Sequence, residues 1–328
     1  MKKIKVLFTV IGVITFVLLC FLFISPKPIM TLIKTRTPSM PGYSAPSNFA
    51  VIEKLSRSHS NVPYQSNYSN STYDLYIPKG KKHPPIVVFF HGGGFITGDK
   101  EMGKYLGPTL AAQGYAVLSV NYDLSVGTTL NKQILQVTDF FNLLPAIAKT
   151  YGLNKDIVFL SGSSAGAYLA LQLCSAKYHA DYEIESQKVN SKVPIKGMIL
   201  FSSPYDLSFI QGYPVKNLLL KLGIFEIGWS LTGNRFWKSD TTLSEKYDLT
   251  QYISPNFPPF FISDGNYKTF TKQAKNYSSL LIKNHVETTT LFFDKKDRVG
   301  HGYQMNMKTK ESQQAIKAVL QFLAKHDD

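Results

Sequence analysis

The tightest constraint on this chain lies in residues 157–173, I-V-F-L-S-G-S-S-A-G-A-Y-L-A-L-Q-L. The bulky apolar run at 157–160 suits a short buried strand. Gly162-Ser163-Ser164-Ala165-Gly166 follows, a G-x-S-x-G. Ala165, Ala167 and Ala170 then share a stretch of good helix formers with Tyr168, Leu169, Leu171 and Leu173. A serine on a sharp turn from strand into helix is pushed outward with strained backbone angles. Side chains at Gly162 and Gly166 would collide with the neighbouring strand and helix. The same turn puts Ser164 at a helix N-terminus, where free N–H groups stabilise an anion. In a chain with 22 glycines a bare G-x-S-x-G arises by chance. The strand before it and the helix after it give the motif its weight.

A second apolar run at 86–90, I-V-V-F-F, ends in His91-Gly92-Gly93-Gly94-Phe95. Three glycines after a strand cost backbone entropy and pack nothing. They make sense where backbone must come close to a ligand. The run stands about seventy residues before Ser164.

Together these motifs resemble the α/β-hydrolase superfamily, and within it the hormone-sensitive-lipase-like esterases and acetyl-hydrolases. The resemblance rests on His91-Gly92-Gly93-Gly94-Phe95, Gly98-Asp99-Lys100, Asn121-Tyr122, Gly162-Ser163-Ser164-Ala165-Gly166 and His301-Gly302-Tyr303. It extends from Ser71 to the C-terminus. It implies an α/β-hydrolase fold, a carboxylic ester substrate that is small or lipid-like, and no cofactor. The residues add their own support. Strand-like runs at 116–120, 196–201, 260–263 and 288–293 alternate with helical patterns at 105–113, 130–151, 272–284 and 309–325. Such alternation predicts a mostly parallel sheet with helices on both faces. Pro145 is expected to kink or restart the helix over 130–151.

Acyl transfer needs a nucleophile, a base, a group that orients the base, and donors for the oxyanion. Ser164 is the nucleophile of this reading. His301 is the base, because it follows the last strand between two glycines and so can reach back over the serine. The backbone N–H groups of Gly93, Gly94 and Ala165 form the oxyanion hole. The resemblance implies an acid in the loop after the strand at 260–263, usually a glycine, about two residues, then Asp. Here that loop reads Asp264-Gly265-Asn266-Tyr267-Lys268. Asp264 is its only carboxylate, with Asp206, Asp294 and Asp297 as competitors. Ser163 stands where these esterases commonly carry an acidic residue, which is expected to alter local hydrogen bonding only. Cys174 is expected to be a core thiol, and no ligand cluster suggests a metal.

Residues 207–255 break the alternation. Aliphatic and aromatic side chains there point to a lid-like helical insertion, which either lines an acyl pocket or packs on the sheet. At the other end, Lys2, Lys3 and Lys5 precede an uncharged, nearly all apolar run at 6–24, long enough as a helix to span roughly 28 Å. This predicts an N-terminal membrane anchor over 1–25, with a cleaved signal peptide as the alternative. Residues 26–63, rich in proline, are expected to be a linker, and 64–328 the hydrolase domain. An anchor with lysines before it places the catalytic domain outside the cytoplasm.

The formal net charge of +14 comes from 36 Lys and Arg against 22 Asp and Glu. The lysines are scattered and match no nucleic-acid-binding signature, so an anionic membrane or cell-envelope polymer is the partner that fits, rather than nucleic acid. Two alternatives to simple ester hydrolysis stay open. One is deacetylation of, or acyl transfer to, a cell-surface glycan. The other is a surface binding module on a hydrolase scaffold. No feature of the sequence specifies an oligomeric state.

Overall fold

The computed structural model describes residues 2–37, 42–182, 189–212 and 217–328. Eight strands among them form one sheet: β1 Ser56–Pro63, β2 Thr72–Pro78, β3 Pro85–Phe90, β4 Ala116–Val120, β5 Asn154–Ser163, β6 Gly197–Phe201, β7 Phe260–Asp264 and β8 Thr288–Phe292. Their spatial order is β1-β2-β4-β3-β5-β6-β7-β8. β2 runs antiparallel to both β1 and β4. From β4 to β8 every pairing is parallel. The sheet is thus the mostly parallel one expected, with an antiparallel edge.

Side chains on a strand alternate between faces, and here both faces are dry. Val88, Phe90, Leu160, Leu200 and Ile262 enter a core shared with α5 (Leu130–Tyr151), α6 (Ala165–Tyr178) and α9 (Thr271–Lys283). Val87, Phe89, Phe159, Ile199 and Phe261 enter a second core under α4 (Leu106–Ala111) and α10 (Lys310–Lys325). A parallel strand covered on both sides reads as an unbroken apolar run, which is why 86–90 and 157–160 stand out in the sequence. Cys174 lies in the first core, unpaired and buried.

Two expectations need correction. Residues 26–63, taken as a linker, carry α2 (Lys27–Arg36), α3 (Phe49–Ile52) and β1. Pro28 sits in the first turn of α2, where a missing N–H costs nothing. β1 is an edge strand with little apolar content, exposed along most of its length, so only its ladder to β2 creates it. α5 continues through Pro145 without restarting, and Phe141, Leu144 and Ala148 around it are buried. The anchor is the second. Lys2–Ile24 forms α1, yet among the described residues no helix is long and apolar enough to cross a membrane.

The 207–255 insertion holds α7 (Leu218–Thr232) and α8 (Thr242–Tyr247) joined by short 3-10 turns. Trp229, Leu231 and Trp237 are buried against neighbouring elements. A cleft opens among Leu130, Leu207, Ile210, Leu231, Trp237 and Tyr247.

Candidate active site

β5 ends at Ser163 and α6 begins at Ala165, leaving Ser164 as the turn between them. Its backbone has φ 53° and ψ −119°, a region side chains other than hydrogen rarely occupy. The strain is held by neighbours. The Ser164 N–H donates to the Phe201 carbonyl at 2.8 Å, and its own carbonyl accepts from Tyr168 N–H at 3.1 Å. A Cβ at Gly166 would stand 2.1 Å from the Phe90 carbonyl oxygen, and one at Gly162 would stand 2.5 Å from the Ala167 nitrogen. Both glycines are therefore required for strand, turn and helix to pack this closely.

His301 Nε2 lies 2.9 Å from Ser164 Oγ across 137 residues of sequence. Gly302 supports this loop with φ 70°, and its N–H donates to Ser202 Oγ at 3.1 Å. The edge of the Phe270 ring meets the imidazole at 5.5 Å between centroids. His301 is exposed as a whole, but the ring is enclosed enough that desolvation holds its pKa below the usual 6.5. A base that stays neutral at neutral pH is the form able to accept a proton.

The other ring nitrogen does not meet a carboxylate. His301 Nδ1 is 3.0 Å from Thr269 Oγ1. Thr269 Oγ1 in turn donates to Asp264 Oδ1 at 2.5 Å. Asp264 closes β7 and is fully buried. It also accepts from the Gly265 N–H at 2.8 Å. Burial pushes its pKa up from 3.8 to about 6, against the lowering effect of its hydrogen bonds, the one from Thr269 foremost. The competing acids are engaged elsewhere. Asp206 accepts from the Ser208 N–H at 2.7 Å. Asp294 is a surface carboxylate 3.9 Å from Lys296 Nζ, and Asp297 is exposed.

The glycine loop closes the site from the β3 side. Gly93, Gly94 and Phe95 all have positive φ, at 118°, 60° and 68°. Ala165 is the first residue of α6, so its N–H has no acceptor within the helix. The His91 ring is buried and stacks on Tyr122 at 4.3 Å between centroids, and the Tyr122 hydroxyl donates to the His91 carbonyl at 2.7 Å. Burial drives the His91 pKa down to about 4, which leaves it a neutral structural ring. Asn121 ties in the following turn, accepting from the Lys100 N–H at 2.6 Å and donating to Asp99 at 2.9 Å. Ser163 accepts from Gln304 Nε2 at 2.8 Å. It thus links the turn to the segment after His301.

Thr269 is the site residue that sequence reasoning missed. A lone threonine carries no spacing signal. Its one clue was the mismatch around it, a lysine at position 268 where the resemblance leads one to look for the acid.

The sheet order, the strained serine turn and the serine–histidine contact define an α/β-hydrolase. Residues 73–281, more than half of the chain, match BD-FAE, and the chain belongs to that family. A kynurenine formamidase of Danio rerio is 27% identical over 222 residues, covering 67% of each chain. A probable isoprenylcysteine alpha-carbonyl methylesterase of Oryza sativa subsp. japonica is 31% identical over 136 residues. That match takes in 41% of this chain and only 32% of the rice protein. Among solved structures, Esterase B from Lactobacillus Rhamnosis superposes with a TM-score of 0.72 at 21% identity, covering 87% of this chain and 88% of its own.

Proposed function

We propose that this protein is a carboxylic ester hydrolase in which Ser164, His301 and Asp264 act together and the N–H groups of Gly93, Gly94 and Ala165 receive the oxyanion. The observation that carries this reading is the 2.9 Å contact between His301 Nε2 and Ser164 Oγ at the head of α6. Ser164 Oγ attacks the acyl carbon and its proton passes to Nε2. The carbonyl electrons move onto oxygen, where the backbone donors and the α6 N-terminus stabilise them. Collapse of the tetrahedral species expels the alcohol, which takes the proton from His301. Water, deprotonated by the same nitrogen, then releases the acid and frees Ser164. Relatives named as a methylesterase and as a probable carboxylic ester hydrolase, the latter from Mycobacterium tuberculosis, support the reaction class. The cleft beside the 207–255 insertion is the candidate acyl pocket, and its apolar lining suits an alkyl chain.

In the same reading the lysines and apolar run at 2–24 serve as the signal that carries the hydrolase domain outside the cytoplasm, and removal of residues 1–25 retains the protein in the cytoplasm. The test of the activity compares the protein with its Ser164→Ala variant. Both are treated with a fluorophosphonate and assayed on nitrophenyl esters from acetyl to decanoyl. Labelling and turnover that disappear in the variant are the expected result. A folded wild-type protein with neither would sink the hydrolase reading in favour of a binding module.

A further inference from the structure

His301 and the carboxylate nearest to it are separated by one hydroxyl group. The loop that supplies this hydroxyl is strapped to the loop that carries the histidine. Asn266 and Tyr267 both donate backbone N–H groups to the Val299 carbonyl, at 2.8 and 2.9 Å. The Val299 N–H returns a bond to Asn266 Oδ1 at 2.9 Å. A Cβ on Gly265 would stand 2.3 Å from that same Val299 carbonyl. Thr271 Oγ1 donates to the Gly265 carbonyl at 2.6 Å, tying the start of α9 back to the loop. Thr269 is thus held opposite His301 by the backbone on both sides.

A hydroxyl has one proton to give and two lone pairs to offer, whereas an ionised carboxylate only accepts. With Asp264 ionised, the Thr269 proton points to Asp264 Oδ1. The face of Thr269 Oγ1 toward His301 then offers a lone pair, and Nδ1 must carry hydrogen to meet it. Nε2 is left without hydrogen, facing the Ser164 hydroxyl as an acceptor. The chain of contacts Asp264–Thr269–His301–Ser164 has a single consistent direction.

We propose that Thr269 is a positioning residue, whose hydroxyl, oriented by Asp264, fixes the tautomer and ring orientation of His301. The acid of this protein therefore acts at one remove, and the acid site left vacant by Lys268 is made good by a buried carboxylate plus a threonine. This rests on the hydrolase reading above.

The test uses the full-length protein and four variants: Thr269→Val, Thr269→Ser, Asp264→Asn and the Thr269→Val/Asp264→Asn pair. Valine matches the shape of threonine without the hydroxyl, and the half-buried position tolerates it. Thr269→Val is expected to lower kcat on a nitrophenyl ester by about 10²-fold to 10³-fold, less than the ~10⁴-fold for loss of an orienting acid, with KM nearly unchanged. Thr269→Ser restores kcat to within a few-fold. The double variant is no slower than the slower single variant, since both remove the same relay. A Thr269→Val enzyme with wild-type kcat, or losses that multiply in the double variant, would overturn the proposal. Nitrogen-15 NMR of His301 decides the matter independently of turnover. The proposal requires Nδ1–H in the wild type and loss of that single tautomer in Thr269→Val. An unchanged tautomer rules it out. Wild-type turnover that does not depend on Ser164 would instead strike at the hydrolase reading, and the NMR result would still judge Thr269.

Discussion

Gly166 and Phe90 are in backbone contact, so close that a Cβ on the glycine would stand 2.1 Å from the Phe90 carbonyl oxygen. The obstacle is main chain and cannot rotate away. Gly166→Ala is therefore expected to destabilise the fold by about 3 kcal/mol or more, at the upper end for overpacking. Urea denaturation gives the value. Ala at Gly94, where a Cβ meets nothing within 4 Å, costs only the strain of its positive φ, roughly 1 kcal/mol.

Ser164 at φ 53° and ψ −119° stores strain in its backbone. Replacing Ser164 by glycine relieves that strain, whereas replacing it by alanine does not. Ser164→Gly is expected to unfold about 1 kcal/mol later than Ser164→Ala, with neither variant turning over ester. Equal stability of the two would mean the turn is unstrained. Thermal and urea melts of the pair, run side by side, provide the comparison.

Asp264 makes the stability depend on pH. Burial raises its pKa from 3.8 to about 6. Below the unfolded value both states hold the proton and the carboxyl is no burden. Between the two values the folded state keeps a proton that the unfolded chain has released. Above about 6 the fold must carry a buried charge, and the stabilisation is lost. Tyr205 and Tyr303 interact electrostatically with Asp264 and stay neutral throughout, because burial raises both. Asp264→Asn should therefore stabilise the protein at pH 7.5 by up to about 3 kcal/mol. The gain should shrink toward pH 4, while turnover is impaired. Denaturation curves at the two pH values check the sign. A variant less stable than wild type at pH 7.5 would contradict it.

The cleft beside α7 predicts a change in substrate preference. Leu231 is buried on its wall. Leu231→Phe would fill part of the space and shift the preferred nitrophenyl ester toward shorter acyl chains by two or more carbons, leaving acetyl turnover within about twofold. Activity profiles across chain lengths read this directly. An unchanged profile would place the acyl chain elsewhere.

Much of the site was legible from local pattern. The elbow at Ser164 shows in sequence because a buried parallel strand, a glycine-flanked serine and a helix follow one another within one short stretch. His301 shows because chain order and the last strand limit where a base can stand. β1 was not legible. An edge strand exposed along most of its length has no apolar alternation, and its ladder to β2 supplies the reason it forms. α2 was hidden by prolines that start a helix as readily as they end one. Thr269 was beyond reach for a different reason. Its role depends on two loops, 32 residues apart at the contact, being strapped together at Val299.

The amino-acid sequence by itself determined the sheet, its covering helices and the identities of Ser164, His301 and Asp264 as the groups to consider. Each depends on hydrophobic period, glycine placement or chain order, which are properties of neighbouring residues. Only the tertiary structure decided how Asp264 is connected to His301. Whether a carboxylate touches an imidazole turns on a few ångströms between distant loops. Here that gap is filled by the hydroxyl of Thr269, between Asp264 and His301.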